Sequence, residues 1–219
     1  MTDSPWSPAS SKRSRRASSG RIIEVLTVLL LAVATVGSAW SAYQVSQWNG
    51  IETDEARISA AFRIDGSREY ALATQIVAYD AASVTQYAEA AVAENTDLQR
   101  FLLETIVRPG FLPILRDWQT QVDAGELPTN LLQDEEYLGD LFAKSTAADA
   151  GALAAASRSE EAGNNADDYI QLTLFFAMAL FFAGITPSFR TRFPKLLLLS
   201  GAGVILAVAG SLLAGYPVA

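Results

Sequence analysis

Residues 21–48, RIIEVLTVLLLAVATVGSAWSAYQVSQW, decide how the rest of the chain must fold. From Ile22 to Ala39 the only charged side chain is Glu24, close to the start. A helix rises about 1.5 Å per residue and a hydrocarbon core is about 30 Å thick, so roughly 20 mostly apolar residues cross it. Ile22 to Tyr43 meets that length. Lys12, Arg13, Arg15, Arg16 and Arg21 precede it. Basic residues beside a span stay on the cytoplasmic side, which predicts a cytoplasmic N-terminus. Trp40, Tyr43 and Trp48 gather at the other end, where amphipathic rings suit the headgroup layer. A cleaved signal peptide is the rival reading, but signal cores run about 7–15 residues and this one is longer. Arg15-Arg16 suggests a twin-arginine signal, yet Ala-Ser-Ser follows instead of apolar residues. Glu24 lies one turn inside the basic foot, as an interfacial, solvated carboxylate would.

Working outward, residues 1–20 are rich in Ser, Pro and Arg and show no apolar face, which predicts a disordered basic tail. Residues 21–47 form the first span. Two further apolar runs follow a long polar middle. Tyr169 to Ile185 is the core of a second span, 169–186, ended by Thr186-Pro187. Leu196 to Gly215 is the core of a third, 196–216, with Tyr216 at its end. The loop between them, 187–195, carries Arg190, Arg192 and Lys195, so it is predicted cytoplasmic independently of the first span. The last residues, 217–219, then lie outside.

Charge is sorted the same way. Residues 48–168 hold 22 acidic and 8 basic side chains, a net charge of −14. The remainder holds 8 basic and 2 acidic, a net charge of +6. An acidic outer segment is a poor partner for nucleic acid. Cysteine and histidine are both absent. That excludes disulfides, thiolate chemistry, Cys/His metal sites and the commonest general base.

The middle, 48–168, reads as helices. Ile51 to Asn95 has no proline, and Leu72, Ile76, Tyr79, Ser83, Tyr87 and Ala90 step by threes and fours as one apolar face. Asn49-Gly50 and Gly66 are candidate breaks or kinks; without them the first span runs on as a helix well beyond the membrane. Asp97 is the expected N-cap of a short helix, LQRFLLETIV, stopped by Arg108-Pro109-Gly110. Another short helix runs from Phe111 to Gln121, and DAGELPTN is a loop. Phe101, Leu102, Ile106, Phe111, Leu112, Ile114, Leu115 and Trp118 are the predicted core, with a ligand pocket among them as the alternative. Asp134, Glu135 and Glu136 suit the first turn of a further helix, dense in alanine from Ala147 to Ala156. Such small side chains predict close antiparallel packing against Ile51–Asn95. Gly163-Asn164-Asn165 is the expected break before the membrane. The fold class is thus all-α: three transmembrane helices, with an extracytoplasmic antiparallel helical bundle inserted between the first and second.

The segments AWSAYQVSQWNGIETDEA, VAYDAASVTQYAEAAVAEN, RPGFLPILRDW and NNADDYIQLTLFFAMALFFAGI together resemble a widespread family of uncharacterised bacterial three-span integral membrane proteins. The resemblance covers about residues 20–215 and implies a bacterial cytoplasmic membrane and the same layout. It implies no activity, ligand or catalytic residue. More loosely, the bundle is similar to the four-helix extracytoplasmic sensor modules of chemoreceptors and sensor kinases, but no signalling domain follows it.

No phosphate-binding, dinucleotide, zinc-protease or nucleophile-elbow motif occurs. The sequence offers no catalytic, cofactor-binding or metal-binding set. Asp134-Glu135-Glu136 is the densest acidic group, but successive helical residues diverge and chelate poorly. Asp167-Asp168 beside Asn164-Asn165 reads as helix capping, or in an oligomer as an acidic ring. Small residues at Gly203, Ala207 and Ser211, and at Ala34/Ser38 or Gly37/Ser41, allow close helix packing, within the chain or between copies. The expected function is non-enzymatic: the outer helical domain senses, binds or scaffolds a partner. Partners are the lipid bilayer and, for the second reading of a homo-oligomeric ion channel or pore with an acidic outer vestibule, further copies of the chain or other membrane proteins.

Overall fold

The computed structural model describes the backbone of residues 10–126 and 134–219, and side chains from residue 21 onward. Among the described residues the chain is all-α: α1 Ser10–Val92, α2 Thr96–Phe101, α3 Leu112–Asp123, α4 Glu135–Ile185 and α5 Arg192–Leu213. A π-helical turn, Leu102–Ile106, and a 3₁₀ turn, Thr186–Ser188, complete the order. The second half of the loop DAGELPTN lies outside the described residues. Contacts divide the chain into unit 1, Met1–Glu55 with Ser157–Ala219, and unit 2, Ala56–Ala156.

Three helices are long and apolar enough to cross a membrane, with mean hydropathy of 2.2, 1.8 and 2.3 over their most apolar windows. Only 11%, 33% and 17% of those windows is buried, so their large apolar residues face outward. Val28, Val36, Leu174, Phe181, Leu197 and Val204 are all exposed. Inside unit 1 lie the small residues Ala34, Ala179, Ala183, Ala202 and Ala209, with Tyr169, Leu172 and Phe176 filling between them. That inversion of the usual pattern is what a lipid solvent requires.

Gly37 shows how close the helices come. A Cβ placed there would lie 2.5 Å from the ring of Phe176, itself almost fully buried. Gly37→Ala is therefore expected to destabilise unit 1. Overpacking costs about 1–3 kcal/mol, only partly offset by the helix preference of alanine over glycine, about 1 kcal/mol. A melting temperature in detergent that is unchanged or raised would refute this contact. On α5 the packing face is Leu199, Ala202 and Ala209; Ala207 and Ser211 are exposed and Gly203 meets nothing within 4 Å. The predicted small-residue face of the third span is thus turned away from its neighbours in the chain.

In unit 2, α1 and α4 run antiparallel. Gly66 meets Ala148 and Asp149, the ring of Phe62 lies against Gly151, and Ser59 Oγ donates to the Ala152 carbonyl at 2.9 Å. Ser59, Gly66, Ala73, Asp80 and Tyr87 are buried at seven-residue intervals, as are Ser145 with Ala152 on the partner. A repeat of seven keeps one seam in register with a neighbouring helix. The seam, small from Ser59 to Ala73 and then carrying Asp80 and Tyr87, is inside, while Leu72 and Tyr79, expected on the inner face, are exposed.

The candidate breaks are absent, and the first span runs on as a helix. α1 runs unbroken through Asn49-Gly50 and Gly66, and α4 through Gly163-Asn164-Asn165. Gly66 and Gly163 serve close approach instead: added Cβ atoms would meet Asp149 Oδ1 at 3.2 Å and the Glu52 carboxylate at 3.3 Å. Gly50 is exposed, and one glycine costs a helix only about 1 kcal/mol. At the other end α1 begins at Ser10, inside the tail expected to be disordered. Lys, Arg and Ala are good helix formers, and extending an existing helix carries no nucleation cost.

The end of α1 is a Schellman turn. Asn95 N–H donates to the Ala90 carbonyl at 3.0 Å and Glu94 N–H to that of Ala91 at 3.1 Å. Glu94 holds φ 55°, a left-handed conformation that favours glycine. Glu94→Gly is expected to stabilise the protein by about 0.5–1 kcal/mol, seen as a higher melting temperature; a lower one would refute it. Asn95, not Asp97, caps α2: its Oδ1 accepts from Leu98 N–H at 3.0 Å. Asn95 stands one residue ahead of the helix, where a side chain reaches the free amides; Asp97 is already inside it.

The core of unit 2 joins Tyr87, Ala90, Leu102, Val107, Phe111, Leu115 and Tyr137, with Ile106, Leu112, Ile114 and Trp118 packed on it. This matches the predicted core except for Phe101, which is exposed. It sits at the last position of α2, just before the π turn.

Candidate ligand-binding cleft

The cleft in unit 2 is built on a buried carboxylate. Asp80 occupies a position of the seven-residue seam and is fully buried. An isolated charge there would be very costly. Arg108 answers it, donating Nε–H to Oδ1 at 3.1 Å and Nη2–H to Oδ2 at 2.6 Å. Tyr137 O–H donates to the same Oδ2 at 2.5 Å.

Local features aim each group. The π turn bonds Val107 N–H to the Leu102 carbonyl at 2.9 Å and places Arg108 directly after the extra residue. Tyr79 O–H donates to the Ile106 carbonyl at 2.7 Å, tying the turn to α1. Asp134 caps α4, its Oδ1 accepting from Tyr137 N–H at 2.7 Å, which fixes Tyr137 in the first helical turn. Glu135 and Glu136 follow in that turn, as expected from the helix dipole.

Burial pushes the Tyr137 phenol well above its ordinary value, and its hydrogen bond to Asp80 and that carboxylate's charge push it further. The bond to Asp80 likewise raises the Arg108 guanidinium, which stays charged at every physiological pH.

Against this network lies a cleft of about 500 Å³. Pro113, Ile114, Leu141 and the Tyr137 ring supply its apolar wall, and Asp117, Asp134, Glu136 and Asp140 its carboxylates. Arg108 has about a third of its side chain exposed and lines the same cleft, with Nη1 turned toward Gly110. Four carboxylates against one guanidinium leave the lining strongly negative. Two of the four are already engaged: Asp134 as the cap, and Asp117 accepting from Gln121 Nε2 at 3.1 Å. Among the described residues, no three or more Asp and Glu come together as a set that could hold a metal ion.

In comparisons with known proteins, no family model, curated protein or solved structure matches the chain. The cleft is therefore read from its own residues.

Of the groups noted in the sequence, Asp134 and Glu136 reach the cleft. Asp167 and Asp168 lie in unit 1, mid-way along α4, so the capping role expected of them does not exist. No motif in the sequence singles out Asp80 or Arg108 as a site residue. A usable signal was present: Asp80 falls seven residues after Ala73 and seven before Tyr87, and a charge on a seam of that spacing needs a partner.

Proposed function

We propose that this is a non-enzymatic multi-pass protein of the bacterial cytoplasmic membrane whose unit 2 lies outside the cytoplasm and binds a small organic cation. The observation that carries the reading is the cleft: Tyr137, Ile114 and Leu141 line it together with Glu136 and Asp140, and Arg108, bonded to Asp80, lines it too. An apolar pocket with a few fixed polar groups is the usual form of a small-molecule site. Aromatic and carboxylate surfaces together favour an ammonium group. Basic residues at Arg13–Arg21 and Arg190–Lys195 support the orientation.

Two experiments test it. The chain lacks cysteine, so single cysteines report topology on a clean background. In intact cells, Asp123→Cys should react with a membrane-impermeant maleimide and Ser188→Cys only after permeabilisation. The reverse pattern would overturn the orientation. For binding, the purified full chain in nanodiscs is melted with putrescine, spermidine, choline and betaine. At least one should raise the melting temperature, and Glu136→Gln/Asp140→Asn should abolish the rise. No shift from any of them would count against this ligand class.

A second reading, a homo-oligomeric channel or pore, is favoured by the outward face of α5 at Gly203, Ala207 and Ser211. Native mass spectrometry separates the two, since three spans per copy enclose a conduit only in a closed ring of several copies.

A further inference from the structure

We propose that unit 1 holds ordered water beside Gln44, at least two molecules that between them accept hydrogen bonds from Gln44 Nε2, Trp48 Nε1 and Ser41 Oγ. These three atoms are buried and have no hydrogen-bond partner within the chain. Ser41 and Gln44 are both fully buried. Positions 41, 44 and 48 lie on one face of α1, each one turn from the next.

The geometry removes the simpler explanations. Gln44 Oε1 accepts from the Ala219 N–H at 3.1 Å, so flipping the amide would set two donors against each other. The donor end is therefore the one left over. Ser41 also behaves differently from other hydroxyls in these helices. Thr27, Thr35, Thr173, Ser200 and Ser211 each donate to a carbonyl three or four residues back, at 2.6–2.9 Å. Ser41 makes no such bond.

A buried donor left without an acceptor is costly. Water removes that cost; one molecule accepts two hydrogen bonds, so three donors call for at least two molecules bonded to each other. A water molecule fits better than an anion, because three neutral donors do not offset the cost of taking a full negative charge out of bulk solvent. Residues 217–219 lie close by: Tyr169 O–H donates to the Pro217 carbonyl at 3.0 Å, and the Tyr169 and Tyr216 rings meet edge-on at 5.7 Å.

The test is water-edited solid-state NMR on ¹⁵N-labelled full chain in lipid bilayers, with Trp48→Phe to assign the indole. Gln44 Nε2 and Trp48 Nε1 should receive magnetisation from water at short mixing times, several-fold faster than the backbone amide of buried Ala34. Ser41→Ala supplies a second readout. If its hydroxyl holds water, the melting temperature falls by about 2–4 °C. If the site is dry, deleting an unsatisfied hydroxyl leaves the temperature unchanged or raises it. Slow build-up at both nitrogens, or an unchanged or raised melting temperature in Ser41→Ala, overturns the proposal.

Discussion

Replacing Asp80 with alanine is expected to lower the unfolding free energy by about 3–5 kcal/mol, measured by chemical denaturation of the full chain in mild detergent. The substitution removes more than one contact. Arg108 loses the acceptor for both Nε and Nη2, and Tyr137 loses the acceptor for its hydroxyl. Three elements distant in sequence are joined at this one carboxylate: α1, the segment after the π turn, and the start of α4. The exposed third of Arg108 lets water take up part of the loss, which places the expected value toward the lower end. Asp80→Ala/Arg108→Met should cost less than the two single changes added together, because the second removes the cation the first has stranded. A loss below about 1 kcal/mol for Asp80→Ala would mean that the network contributes little.

The same network sets a pH dependence. A phenol whose folded value lies above its unfolded one adds its stability in full below the unfolded value, about 10, and loses it as pH rises toward the folded value. Tyr137 is such a group. Tyr137→Phe should therefore destabilise the protein by about 1.5–3 kcal/mol equally from pH 6 to 9. The difference from the unmodified chain should shrink above about pH 10. A difference that changes between pH 6 and 8 would contradict this assignment.

Phe111→Ala has an expected effect of similar size, about 3–5 kcal/mol. Phe111 is fully buried, and its ring lies 5.3 Å from that of Tyr137. It belongs to the cluster that joins α3 to α1, with Leu115 and Tyr87 as neighbours in the core. Truncation leaves a ring-sized void beside α3, whose 12 residues are too few to be stable alone. Phe111→Leu should recover most of the loss, since it restores volume without adding a polar atom. Equal losses for the two variants would show that ring geometry, not filled space, is what matters at this position.

Much of this architecture is legible before any coordinates are known, for a physical reason. Span length and helix periodicity are local, and Val28 to Val36 or Leu174 to Phe181 announce themselves by composition alone. The short helices around Arg108-Pro109-Gly110 are likewise marked by residues that cannot continue a helix. Glycine is the exception. Gly66 and Gly163 look like breaks, because a sequence does not reveal whether a missing side chain serves a turn or a neighbour. Only the facing Asp149 and Glu52 decide that. The cleft is illegible for a related reason. Asp80 lies 28 residues from Arg108 and 57 from Tyr137, so the seven-residue spacing marks it as needing a partner but nothing local says which residues answer it.

The seven-residue spacing of Ser59, Gly66, Ala73, Asp80 and Tyr87 also restricts how this gene can change length. Deleting one residue between Gly66 and Ala73 turns everything beyond it by about 100° relative to the seam. Asp80 would swing out to solvent and a neighbour would enter its place, stranding Arg108. Deleting seven, matched by seven on α4, restores the phase. Viable relatives should therefore differ in this region by whole heptads, and single-codon deletions there should be lost by selection while single substitutions at exposed positions persist.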